Sequence, residues 1–363
     1  VVAPVPAVAL PDTVDVSSLY YHTTYGKTAA DTLLKIGGHH YRLQLQARPD
    51  SSQQLKMAAA TPDSTTAAGE QADDAGPFYN VRYTITLLDS VGHRQFRTTF
   101  TKPSFYPVIG KELVLQSIAI RPEFIGYNAP RQLLLFRQEF GVDGTDWMAD
   151  AFLAIDLRGK LQQLKADNDY GGGGADCRIQ QSPDGRAILT CQELLLPGGR
   201  RQSLHKPNGL LVAARFLSDT TLLTVYDFVT VHQTQAEYYK SPIPSYRTAP
   251  NAFILSARTG KAIARFRYNG YHEELGYILP RQYAWQTKTY YLLDDKRRVI
   301  RIIPKEKPQL THEVSLLQLP KFKAPRQQNE LRVPLSTEGT SAMLYVDTVT
   351  HKMRFQVLSE SSY

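Results

Sequence analysis

Asp167, Asp169 and Asp176 flank four consecutive glycines in the stretch DNDYGGGGAD, residues 167 to 176. Calcium takes about six to eight oxygen ligands from a tightly turning loop, and aspartates beside glycine offer both oxygens and turn. The spacing departs from that of a helix-loop-helix calcium loop and lacks its closing glutamate. The competing reading is a polar linker. Asp143, Asp146 and Asp150 form a second acidic group just upstream. His39 and His40 are adjacent in an alternating stretch, which sends them to opposite faces and away from a shared metal.

Cys177 and Cys191 are the two cysteines of the chain. Between them lies Ser182-Pro183-Asp184-Gly185, a turn with a mechanism: proline presets φ, aspartate caps its own backbone and glycine accepts positive φ. A three-residue hairpin loop with a glycine bulge pairs Ser182 with Arg186 and sets Cys177 directly opposite Cys191. In that register Cys177, Ile179, Ala187, Leu189 and Cys191 share the apolar face. A disulfide, two buried thiols and a metal or redox pair all remain open. No histidine stands at ligand spacing beside them.

Catalytic patterns are absent. There is no G-x-S-x-G elbow and no serine or cysteine with a base nearby in sequence. The four glycines lack the Lys-Ser/Thr that would make them a phosphate loop. Recognition surfaces read more clearly. Residues 229–250, VTVHQTQAEYYKSPIPSYRTAP, form a long insertion carrying Tyr238, Tyr239 and Tyr246 among three prolines. Tyrosine contributes large contact area at low entropic cost, and proline keeps such a loop stiff. Tyr268, Tyr271 and Tyr277 follow and would share its surface. Of a net charge of +8, residues 296–326 alone supply nine basic side chains against two acidic ones. Lys296, Arg297, Arg298 and Arg301 open that segment as a candidate partner contact. The plainer alternative is a solvated strand edge. No nucleic-acid motif accompanies the charge.

The elements that position these residues are strands. The 363 residues include 21 tyrosines, 23 glycines and 22 prolines, a bias towards strands and turns. No run of about 18 apolar residues is available to span a membrane. The opening VVAPVPAVALPDTVD has no basic region and reads as the start of a processed, exported chain. Residues 1–27 read as extended. Residues 48–77 are small, polar and free of aromatics, a low-complexity insertion by composition. Five stretches, 83–100, 151–165, 252–267, 290–304 and 342–358, each place apolar strands on both sides of a short polar turn.

The alternation of SPDGRAILT with ILSARTGKAIARF resembles the blades of bacterial β-propellers of the WD40-like and TolB-like kind. The likeness covers about residues 130 to 358. The stretch 83–165, through FTKPSF and GVDGTDWMADAFLAIDLRG, is similar to β-sandwich domains of uncharacterised bacterial envelope lipoproteins. The expected fold is therefore all-β: an extended segment (1–27), a β-sandwich-like part (28–130) and a propeller-like domain with irregular blades (131–363). The expected function is non-enzymatic binding or assembly in a bacterial envelope or surface complex. A protein partner is expected, and neither nucleic acid nor a membrane span. The expectation includes no cofactor, with calcium as the candidate ion. The alternatives are a glycan-active hydrolase or lyase, or a glycan-binding adhesin.

Overall fold

The computed structural model describes residues 12–15, 28–56, 77–145, 147–169, 175–207, 209–227, 249–273, 276–337 and 339–360. The chain is nearly all β. Its described part forms two compact units, residues 21–174 with 178–201, and residues 1–20 with 175–177 and 202–363.

The first of these units holds two four-stranded sheets and the first three strands of a third. Sheet 1 comprises Ala29–Ile36, His39–Leu55, Phe78–Asp89 and Arg94–Thr101. Sheet 2 comprises Glu123–Asn128, Leu133–Gly141, Met148–Asp156 and Leu161–Asp169. Sheet 3 is smaller, with Gln180–Gln181, Ile188–Leu189, Glu193–Leu195 and Arg201–Ser203. In the other unit, sheet 4 runs through Leu210–Phe216, Thr221–Asp227, Ala252–Ser256 and Ala262–Phe266, with Asp176–Cys177 added in parallel at its edge. Sheet 5 runs through Gln282–Ala284, Thr289–Asp294, Val299–Pro304 and His312–Ser315, with Thr13–Asp15 added antiparallel. Sheet 6 has Glu330–Ser336, Thr340–Asp347 and Met353–Glu360. Sheets 1 to 5 are built on four-strand up-and-down meanders, the unit of a propeller blade.

Strand periodicity explains the continuous apolar runs. In sheet 2, Leu134, Phe136, Ala151 and Leu153 pack into a core with Leu43, Tyr83 and Leu87 of sheet 1. Their neighbours Leu135, Phe152 and Ala154 point the other way, onto Ile179, Ile188 and Leu195. Sheet 5 repeats the logic: Tyr290 and Leu292 join a core with sheet 4, and Tyr291 and Leu293 join one with sheet 6. A strand buried on both faces reads as an unbroken apolar stretch because alternate side chains serve different cores.

All five hairpins expected from the sequence form. Their turns share one device, a polar side chain at the strand end that folds onto the loop backbone. Asp89 Oδ1 accepts from the amides of Val91 and His93 at 3.0 and 2.8 Å. Asp156 Oδ1 accepts from Arg158 and Lys160, both at 2.9 Å. Asp347 Oδ1 accepts from Val349 and Thr350 at 2.9 and 2.6 Å. Each loop closes through a residue at positive φ: Gly92, Gly159 and His351.

Two expectations are corrected. The strand His39–Leu55 continues through residues 48–55, which composition placed in the insertion, because it pairs with Phe78–Asp89. Both of its faces are largely exposed there, so polar residues suffice. The turn at Ser182 is one residue longer than expected: Gln181 pairs with Ile188, and the Ser182 amide donates to the Ala187 carbonyl at 2.9 Å. Cys177 therefore does not face Cys191 across that hairpin. It pairs with Ala214 in sheet 4. The two cysteines are nonetheless joined in a disulfide.

One edge of sheet 6 is sealed locally. The Arg332 amide donates to Asp12 Oδ2 at 2.9 Å, and the Arg332 and Arg326 guanidiniums lie at 3.9 and 3.1 Å from the same oxygen. Two residues on, facing the same way, Pro334 has no N–H to offer.

Candidate functional site

The most readable opening lies where the hairpin of sheet 5 turns. Asp294 ends the strand Thr289–Asp294, is fully buried, and accepts the Arg297 amide at 3.1 Å. Arg298 takes positive φ, +53°, where a glycine would be expected. The same Asp294 carboxylate receives the Asn269 amide at 3.0 Å and the Asn269 side-chain nitrogen at 3.2 Å. Burial pushes the Asp294 carboxyl above its ordinary range, against the bonds from Asn269 and Arg297 that pull it down.

Asp295, next in the chain, points outward and is fixed by two hydroxyls: Thr337 to Oδ2 at 3.2 Å and Thr340 to Oδ1 at 2.9 Å. With Asn269, Tyr271, Lys296 and Thr337 it lines a cleft of about 350 Å³. Gly270 and Gly339 complete the lining. A side chain at 270 would meet the Tyr277 hydroxyl at 2.4 Å, and the Gly270 amide already donates to that hydroxyl at 2.6 Å. Of the tyrosines that follow the long insertion, Tyr268 and Tyr277 are buried, and Tyr271 reaches the cleft half-buried.

The basic segment divides by burial. Lys296 and Arg298 are exposed. Arg297 donates to the Arg267 carbonyl at 3.1 Å and to Glu313 Oε1 at 2.9 Å. Arg301 is buried, lies over the Phe266 ring at 4.4 Å and donates to Glu313 Oε2 at 2.5 Å. Arg301 is thus covered rather than presented: it packs on the Phe266 ring and pairs with the more exposed Glu313. Tyr238, Tyr239 and Tyr246 lie outside the described residues.

The acidic candidates are dispersed. Asp176 is fully buried and paired with Arg215 at 3.0 Å and Arg281 at 3.4 Å. A calcium ion there would have to displace two guanidiniums. Asp169 pairs with Ala149 in sheet 2, and its side chain is outside the described set. Asp167 is fully buried: Oδ1 accepts the Cys191 amide at 2.6 Å, and Oδ2 has no hydrogen-bond partner. Burial first, and then the Asp150 charge, push its carboxyl up to about 7. Close by, the buried Arg137 meets Glu123, Glu139 and Asp150 at 3.0, 2.7 and 2.7 Å. Sequence reading missed this cluster. Its signal was Arg137, Glu139 and Asp150 standing inside otherwise apolar strands, where an unpaired charge is prohibitive. Among the described residues, no group of three or more His, Cys, Asp or Glu side chains is placed to hold a metal ion.

A second opening, of about 500 Å³, is lined by Arg131, Gln132, Asp156, Arg158, Gln162 and Gln163. Its principal charges serve the fold. The Arg131 guanidinium donates to the Arg186 and Leu196 carbonyls at 3.0 and 2.6 Å, and Asp156 organises its own turn. The cleft beside Asp295 and Lys296 is therefore the better candidate.

No family model and no curated relative matches the chain. Solved structures are similar to it only at low identity and low TM-score. Apo AztD from Citrobacter koseri is 8% identical over 92% of this chain and 86% of its own, with a TM-score of 0.33. Dihydro-heme d1 dehydrogenase NirN in complex with DHE is 10% identical over 78% and 64%, with a TM-score of 0.29. TolB from Acinetobacter baumannii is 10% identical over 77% and 61%, with a TM-score of 0.23. The chain thus spans under two thirds of the length of two of them. Nothing of their chemistry is carried over to this chain.

Proposed function

We propose that this protein is a non-enzymatic binding component of a bacterial envelope or surface assembly. The observation that carries the reading is the hairpin tip of sheet 5. It presents two exposed cations, Lys296 and Arg298, on a turn whose backbone is fixed by a buried aspartate. Rigid presentation of a few charged groups suits recognition, since little freedom is lost on binding. The disulfide supports export, because such bonds persist in oxidising compartments. No helix among the described residues is long and apolar enough to cross a membrane.

The test is isolation of the native protein from its source envelope in gentle detergent, followed by mass spectrometry of what travels with it. A stoichiometric protein partner is expected. Its affinity should fall about tenfold in Lys296→Glu/Arg298→Glu and more steeply as salt is lowered in the comparison. A lone monomer, or an affinity indifferent to that double reversal, would overturn the reading.

A further inference from the structure

We infer that the cleft between Asn269, Tyr271, Asp295, Lys296 and Thr337 is a binding site for a neutral, hydroxyl-rich ligand of the saccharide class. The site is independent of a protein partner, and its own geometry carries it. A carboxylate offers about four acceptor positions, two on each oxygen. At Asp295 one position on each oxygen is filled, by Thr337 on Oδ2 and Thr340 on Oδ1. The threonines fix the carboxylate plane and leave one acceptor on each oxygen. Two acceptors held side by side match two hydroxyls on adjacent carbons.

Charge narrows the class. Asp295 and Lys296 line the same cleft with opposite signs. An anion would meet Asp295, and a cation would meet Lys296. A hydroxyl donates to the carboxylate and accepts from the ammonium, so a polyol satisfies both without carrying charge. Tyr271 adds a ring to the lining, a surface for the C–H face of a sugar. Among the described residues, Gly270 and Gly339 add backbone without a side chain to the lining. The volume, about 350 Å³, is at the small end of ligand pockets. Behind the lining, Asn269 is tied to the buried Asp294 by its amide and its side chain. The first layer is thus supported by a second.

The experiment screens the intact protein on immobilised neutral hexose and N-acetylhexosamine oligosaccharides, alongside sulfated and uronic-acid-containing ones. Hits are then titrated calorimetrically. Neutral saccharides with vicinal hydroxyls are expected to bind. Asp295→Asn should weaken binding at least tenfold, as should removal of one of the paired hydroxyls in a deoxy analogue. Thr340→Val, which loosens the carboxylate without touching the ligand, should weaken binding less, and both variants should melt close to the parent. No binding to any neutral saccharide would overturn the inference. So would binding confined to anionic glycans, or binding unchanged in Asp295→Asn. Capture of a protein partner is read separately, so either reading can fail alone.

Discussion

Asp167 has one carboxylate oxygen against the Cys191 amide and the other buried without a hydrogen bond. Its carboxyl is raised to about 7 by burial, then by Asp150. The Cys191 amide and then the Arg137 charge pull it partly back. In an unfolded chain an aspartate titrates near 4. Between those values the folded state holds the extra proton, so this group stabilises the fold below about pH 4. That contribution fades as pH rises through about 7. Stability should therefore fall between pH 5 and pH 8 by an amount on the order of a few kcal/mol, and Tm with it. Asp167→Asn, which keeps an acceptor for Cys191, should flatten that slope and melt higher than the parent at pH 8. A slope unchanged in the variant would assign the pH dependence to Glu139, whose carboxyl burial also raises. The residue scale was the least legible in the sequence. Asp167 stood out, but as a calcium ligand, because a glycine run beside it suggested a loop. It is the buried residue near the end of the half-exposed strand Leu161–Asp169. Asp295 and Asn269 are distant in sequence and form no motif, so only the turn chemistry brings them together. A count of charges could place Arg301 in a basic patch, yet could not show that it would pack on Phe266 and pair with Glu313.

Elements were far more legible, because each hairpin has its turn written in a few residues. Asp89 with Gly92 and Asp156 with Gly159 mark their loops openly. Arg298 and His351 occupy the same positive-φ position without glycine, and there the apolar strands on either side marked the hairpin instead. The three-residue strands Glu193–Leu195 and Arg201–Ser203 gave too few residues for periodicity to register, and the polar strand 48–55 looked like an insertion. The two open turns support a comparison. At Gly92 an added Cβ meets nothing within 4 Å, so Gly92→Ala should cost only the left-handed conformation, about 1–2 kcal/mol. At Gly159 the Cβ would fall 2.8 Å from Phe96, so Gly159→Ala should cost clearly more, about 2–4 kcal/mol. Chemical denaturation of both variants checks the order; equal losses would mean that Phe96 yields freely.

At the scale of the molecule, the all-β class followed from composition and recurring hairpins. The state of the cysteines did not follow from their register: the expected pairing is shifted by a residue, and the disulfide forms all the same. Closing a loop of about 15 residues contributes about 3 kcal/mol by restricting the unfolded chain. Reduction, or Cys177→Ser/Cys191→Ser, should lower stability by that order. The unreduced protein should resist thiol reagents even when denatured. Labelling on denaturation alone would remove the support for export.

The clamp of Asp12 on the Arg332 amide, with Pro334 beside it, bears on polymer growth. A sheet recruits a further copy through a row of unsatisfied donors. Here one donor is already claimed and the next does not exist, so this flank offers an incoming chain no regular ladder to follow. Asp12, the residue before the short strand Thr13–Asp15, thus acts as a terminator: its carboxylate occupies the position where a second molecule would otherwise begin a fibre.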